Sequence, residues 1–300
     1  MKVLCSGLNV VDLLVSVPSE IKMGQKNECD ILLQGGAPAG NAACGLAALG
    51  NETYFLGYFG DNPLSTVAKD ELIKHGVKND FFVKKEGATP AIAIVQIDDE
   101  GERTVFYSTK HYIPFSKEDI NEDDLKGFDL ILVDGYDTAI NIHLLKLAKS
   151  LGLKSVLDME SAEQSIMEEM LALCSDAILP LEAAQNISGK TDAIEVLKSV
   201  SKMTEAQVII TDGANGSFAL SEGELIHQPA FKVEVIDTTG CGDAFHAAYA
   251  SALLQGFSLK ERMLYASYFA SQVAQHFGGR TYLPNKGFME KNCPLFIDTK

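Results

Sequence analysis

The chain has 300 residues, 46% of them hydrophobic and 22% charged, with a formal net charge of -16 from 25 Lys and Arg against 41 Asp and Glu. That balance excludes a nucleic-acid surface, which needs clustered cations to neutralise phosphates, and leaves any anionic ligand to local groups such as backbone N–H. No apolar run reaches the roughly 20 residues that span a bilayer, and the size favours one large core, a single α/β domain over residues 1–300 carrying an appendage.

The N-terminus "MKVLCSGLNVVDLLVSV" alternates with polar residues and lacks a basic start and a small-residue cleavage site, so a cytoplasmic protein with no membrane partner is expected. Cys5, Cys29, Cys44, Cys174, Cys241 and Cys293 show no CxxC spacing, which points to buried free thiols in a reducing compartment.

In chain order, "KVLCSGL" predicts a strand, "GNAACGLAALG" a helix, "TYFLGYFG" a strand and "STVAKDELIKHG" a helix. The alternation resumes with "LILVDG", "IHLLKLAKSLG", "SVLDME", "SIMEEMLALC", "DAILP" and "VIITDG". This is the pattern of a mostly parallel sheet with helices on both faces, and in such sheets ligands collect at the C-terminal strand ends. Asp61, Asp134, Asp158 and Asp212 are thereby directed to one rim, most of them as caps or turn residues.

Two segments interrupt the pattern. Residues of about 10–36 and 88–112 carry strand-like runs without helices, the second with a hairpin turn at "DDEG", and together they predict a small β-sheet lid over the rim. In "AIAIVQI", Ala91, Ala93, Val95 and Ile97 alternate with Ile92, Ile94 and Gln96, so both faces of the lid begin apolar. One face covers the ligand, and the other is expected to pack on a second subunit in a homodimer.

Three glycine-rich junctions remain: "QGGAPAGNAACGLAALG", "TDGANGSFAL" and "DTTGCGDAFHAAYASALLQG". The first alone marks a close helix–sheet contact, and the second reads as a hairpin turned at Asn215-Gly216. The third places Gly240, Cys241, Gly242 and Asp243 where the first turn of a helix offers unpaired N–H groups and a positive dipole end to an anion. In order, these segments resemble the ribokinase-like, or PfkB, family of carbohydrate kinases, with "GYFGDNP", "TPAIAIVQIDDEGERT" and "GGRTYLP" in support. No GxxxxGK[ST] loop occurs.

The resemblance implies a ribokinase-like α/β fold and ATP-dependent phosphorylation of a hydroxyl on a small carbohydrate. Asp243 would be the general base, with the N–H cradle of Gly240, Cys241 and Gly242 holding charge on the transferred phosphoryl. Asp12, Gly36 and Asn41 should contact the sugar, with Asp134 a weaker candidate. Thr211, Gly213, Gly216, Gly278 and Gly279 should form the nucleotide side. Asp237 and Thr239 resemble a loop that holds a monovalent cation, K+ in the first instance. Mg2+ is expected with ATP, yet relatives carry an Asn-x-x-Glu motif where this chain reads "ILPLEAAQNISG", leaving only Glu182, displaced by one residue. An extra residue between Gly36 and Asn41 is a second departure, able to reshape the sugar pocket.

His246 and the stripe Tyr265, Tyr268, Phe269 and Gln272 read as packed residues rather than chemistry. Of the arginines Arg103, Arg262 and Arg280, only Arg103 lies in the lid, which disfavours an acidic or phosphorylated acceptor. Two rivals stand beside the sugar kinase: a nucleoside kinase of the same fold, with Tyr107 or Tyr112 against the base, and a sugar- or nucleotide-binding regulator with weak catalysis.

Overall fold

Buried parallel strands bury side chains on both faces, so they appear in sequence as continuous apolar runs. The computed structural model describes residues 1–17, 21–99 and 101–297. Its strands are β1 (Lys2–Ser6), β2 (Val10–Ser16), β3 (Ile31–Gly36), β4 (Glu52–Phe59), β5 (Phe82–Lys84), β6 (Ala91–Ile97), β7 (Arg103–Ser108), β8 (Leu130–Asp134), β9 (Lys154–Asp158), β10 (Asp176–Pro180), β11 (Gln207–Thr211), β12 (Ser217–Ser221) and β13 (Glu224–Gln228). Its helices are α1 (Pro38–Ala48), α2 (Pro63–Lys74), α3 (Thr138–Leu151), α4 (Gln164–Leu173), α5 (Leu181–Ser188), α6 (Ala193–Val200), α7 (Cys241–Leu254), α8 (Leu259–Val273), α9 (Lys286–Asn292) and α10 (Pro294–Ile297).

Among the described residues, nine strands form one sheet in the order β13-β12-β11-β10-β9-β8-β1-β4-β5. Pairing is parallel except where β12 runs against β11 and β13. Alternate strand residues enter opposite cores: Leu130 and Leu132 of β8 join one with α1, α7 and α8, while Ile131 and Val133 join the other with α3, α4 and α6. The small residues of α1 and α7 permit close approach. A Cβ on Gly45 would stand 2.8 Å from the Ala247 methyl, so the alanine-rich run after Asp243 is indeed a tightly packed helix.

β3, β2, β6 and β7 form a separate four-stranded sheet in that order, and all four lie within the two expected insertions. The turn "DDEG" includes Glu100, outside the described residues, but β6 and β7 pair antiparallel across it. Register aligns Gln34, Asp12, Ala93 and Tyr107 in one row across the sheet. The neighbouring row of Leu33, Leu13, Ile94 and Phe106 points the opposite way, because successive residues of a strand alternate faces. Buried Ala91, Ala93, Val95 and Ile97 put the first row on the inner face.

Candidate active site

The helix that carries Asp243 is shaped by the loop in front of it. Asp237, fully buried, accepts from the Thr239 N–H on Oδ1 and the Gly278 N–H on Oδ2, both at 2.8 Å. Gly240 then caps α7 at φ 76°, a left-handed conformation, and a Cβ there would stand 2.7 Å from Gly279 Cα. α7 has no side-chain cap. The Cys241 N–H donates to Thr238 O at 3.2 Å, so it is not one of the free donors expected from the sequence. Those of Gly242 and Asp243 have no partner among the described residues. A Cβ on Gly242 would meet open space, because this residue faces the cavity.

The opposite wall is the lid and its stalk. Asp12 lies on β2, 6% exposed, and Gly36 is glycine for a steric reason: its Cβ would stand 2.0 Å from Asp12 Oδ2. Burial pushes the Asp12 carboxyl up to about 6; the nearby Arg280 charge opposes that shift and the Asp243 charge adds to it. Ala37, the N-cap of α1, has φ 66° and ψ 154°. That region is otherwise nearly restricted to glycine, and Ala37 falls in the stretch between Gly36 and Asn41 that carries the extra residue. Asn41 then crosses the site, with Nδ2 donating to Asp243 Oδ2 at 2.6 Å.

Asp12, Asn41, Gly240, Gly242 and Asp243 thus line one cavity of about 160 Å³, closed on the lid side by Ala93, Val95, Arg103 and Tyr107. An apolar cavity of about 150 Å³ holds a benzene-sized molecule, so the space is of small-molecule size. The lid reaches the helix loop directly. Arg103 Nη1 donates to Thr238 O at 3.3 Å and Thr238 Oγ1 at 3.4 Å, and Thr238 Oγ1 donates to Gly101 O at 2.9 Å.

The family model for pfkB carbohydrate kinases matches residues 4–286. The chain belongs to this family. It is a carbohydrate kinase, a phosphotransferase with an alcohol acceptor, on the ribokinase-like α/β fold with a small lid sheet. It is 26% identical over 253 residues to 2-dehydro-3-deoxygluconokinase of Dickeya dadantii, covering 76% of this chain and 82% of the relative. Fructokinase of Vibrio alginolyticus is 27% identical over 231 residues, covering 70% and 73%. The structure of Arabidopsis thaliana ribokinase complexed with ribose and ATP superposes with a TM-score of 0.82 at 23% identity, covering 97% of each chain.

Not every expected residue of this kinase meets the cavity. Asp134 is fully buried under the rim, with Oδ2 accepting from the Leu8 N–H at 3.0 Å and Oδ1 from the Tyr136 N–H at 3.0 Å; both oxygens hold backbone, and Gly7 is glycine because its Cβ would fall on that carboxylate. Gly278 and Gly279 pack against Asp237 and Gly240 at the foot of α7. Thr211, Gly213 and Gly216 gather at the β11–β12 turn, where a Cβ on Gly216 would strike Gln228 O at 2.1 Å. Glu182 is an exposed residue in the first turn of α5, and among the described residues no three His, Cys, Asp or Glu side chains cluster to hold a metal. Tyr112 donates its hydroxyl to Asp137, whereas Tyr107 lines the cavity. His246 is packed, its ring between Gly242 O at 2.7 Å and Ile178 O at 3.1 Å.

Sequence reasoning missed three residues. Glu160 and Tyr136 line the cavity, with the Tyr136 hydroxyl donating to Glu160 Oε2 at 3.2 Å. Arg280 lies behind it, 2% exposed, its Nε donating to Asn41 Oδ1 and its Nη2 to Gly36 O, both at 2.7 Å. The signal for Arg280 was its place after the two glycines of "GGRTYLP".

Proposed function

We propose that this kinase transfers the γ-phosphoryl group of ATP to a hydroxyl of a small uncharged sugar, with Asp243 as general base. The observation that carries the reading is the shared wall: a carboxylate at the first turn of α7, beside unpaired N–H groups, opens into the same cavity as Asp12 and Asn41. The acceptor oxygen attacks phosphorus, its proton passes to Asp243, and the bond from phosphorus to the ADP oxygen breaks. Gly242 and Asp243 N–H groups and the α7 dipole stabilise charge on the transferred oxygens. Asp12 and Asn41 hold acceptor hydroxyls, and Thr211, Gly213 and Gly216 form the nucleotide side.

Charge supports an uncharged acceptor. Asp12, Glu160 and Asp243 line the cavity, and the one lining cation among the described residues, Arg103, already bonds Thr238. A carboxylate or phosphate on the acceptor would enter a net negative site. Tyr107 on the cavity wall is what favours the second reading, a nucleoside acceptor with its base against the ring.

Magnesium has no assembled protein site among the described residues, in keeping with an ion that arrives on the nucleotide phosphates. A K+ ion at Asp237 and Thr239 has one supporting feature: Thr239 Oγ1 is buried without a hydrogen-bond partner. The cysteines among the described residues are all free, which suits the cytoplasm.

The test is an ADP-release assay over neutral sugars, sugar acids, sugar phosphates and nucleosides. Neutral sugars are expected to turn over best. Asp243→Asn should lower kcat by roughly 10²–10⁴-fold, the scale of a lost general base, with ATP binding retained. Turnover near that of the unsubstituted protein would leave the regulator reading in its place.

A further inference from the structure

We infer that Arg280 is a positioning residue for phosphoryl transfer: by fixing the Asn41 amide, it determines which oxygen of Asp243 is left free to take the acceptor proton. The inference rests on the reading of Asp243 as the base.

A guanidinium carries donors and no acceptor, so a side-chain amide facing it must present its oxygen. Arg280 Nε donates to Asn41 Oδ1 at 2.7 Å, which leaves the Asn41 NH2 facing Asp243, where it donates to Oδ2 at 2.6 Å. A rotated amide would set its NH2 against the guanidinium and its carbonyl against the carboxylate, two repulsive contacts in place of two bonds. Asp243 Oδ2 therefore already accepts one bond, and the second oxygen of that carboxylate is the one with both lone pairs free for a hydroxyl in the cavity. The logic matches the carboxylate of a serine-protease triad, which acts by orienting the base rather than by touching substrate.

The surrounding chain is built around this guanidinium. Nη2 is anchored to Gly36 O at 2.7 Å, and Nη1 is buried with no partner. A Cβ on Gly35 would stand 2.2 Å from Nη1, and one on Gly40 would stand 2.6 Å from Nη2. Two of the glycines in "QGGAPAGN" thus make room for an arginine 240 or more positions along the chain, not for a ligand. The same turn that supplies Arg280 also grips the foot of α7, through the Gly278 N–H on Asp237 and the packing of Gly279 on Gly240. Residues 278–280 consequently hold the phosphate end and the acceptor end of the site in one piece. Lysine would keep the charge but not the planar fork that meets Asn41 and Gly36 together.

The test is a double-mutant cycle on kcat with R280M, R280K, N41A and the R280M/N41A and R280K/N41A doubles, each first checked for cooperative thermal unfolding. R280M and R280K should each lose roughly 10–100-fold in kcat, the scale of lost partners that orient a site residue, while KM for ATP stays within about twofold. Because Arg280 acts through Asn41, each double should be no worse than N41A alone within about threefold, a strong departure from additivity. If R280M fails to fold, the R280K cycle alone decides. Losses that multiply in the double, or an R280K enzyme with unchanged kcat, would overturn the inference. Failure of the base reading is separate, since it appears as retained turnover in Asp243→Asn.

Discussion

Asp12 and Asp134 are both carboxyls raised by burial, to about 6 and about 7, yet their surroundings give them different work. Asp134 is answered by backbone N–H groups and has nothing left for a ligand. Asp12 faces the cavity, with its row partners Gln34 and Ala93 on either side, and its oxygens face space made by Gly36. An ionised Asp12 is an acceptor for two hydroxyls in charge-assisted bonds, and a protonated one is weaker in that role. Since its pKa is raised, the ionised form predominates only above about pH 6. We therefore expect kcat/KM for the acceptor to fall as pH drops through that value, reporting the free enzyme. The limb should vanish in Asp12→Asn, whose acceptor KM is high throughout, while KM for ATP is unaffected. A limb that persists in Asp12→Asn would assign it to another group.

At the scale of elements, the start of α7 separates two uses of glycine that look identical in "GCGDAF". Gly240 is left-handed, at φ 76°, and a Cβ there would stand 2.7 Å from Gly279 Cα. Gly240→Ala should therefore destabilise the protein by about 1–3 kcal/mol, the cost of a strained backbone, and lower kcat as well. Gly242 is inside the helix with open space ahead. Gly242→Ala should hold or raise thermal stability by up to about 0.5–1 kcal/mol while weakening ATP use, because the methyl enters the anion position. Equal loss of stability in the two variants by thermal unfolding would contradict this division. The βα order was legible because buried parallel strands such as "LILVD" are unbroken apolar runs, and the cradle was legible because its glycines and Asp243 are contiguous. What the sequence hid was direction and distance. Asp134 ends a strand as Asp158 does, and nothing local says that its carboxylate turns back to Leu8; Arg280 meets Asn41 across 239 residues, a pairing no spacing rule reaches. Cys241 belongs with these, since the capture of its N–H by Thr238 depends on the loop's turn.

For the whole molecule, the lid joins the two ends of the site and leaves one face to be accounted for. Its inner face carries Asp12, Arg103 and Tyr107 over the cavity, and its hairpin already touches Thr238. Its outer row of Leu33, Leu13, Ile94 and Phe106 runs across all four strands, with Leu33 50%, Ile94 42% and Phe106 56% exposed. Ile31 and Ile92 extend the same apolar surface. A patch of that continuity is uncommon on a monomer, and a sheet face with one row of large side chains is well suited to packing on its own copy about a two-fold axis. We expect a homodimer through the lids, with light scattering giving twice the 32.4 kDa chain mass at micromolar concentration. Phe106→Glu would bury a carboxylate in that contact, so it should raise the dimer dissociation constant by roughly 10–100-fold or more, the effect of losing an interface anchor. Because each lid covers its own cavity, the resulting monomer should bind ATP normally and lose acceptor affinity as its lid loses support. A chain that scatters as a monomer with and without acceptor would remove the dimer and leave the kinase site, which is built within one chain, unchanged.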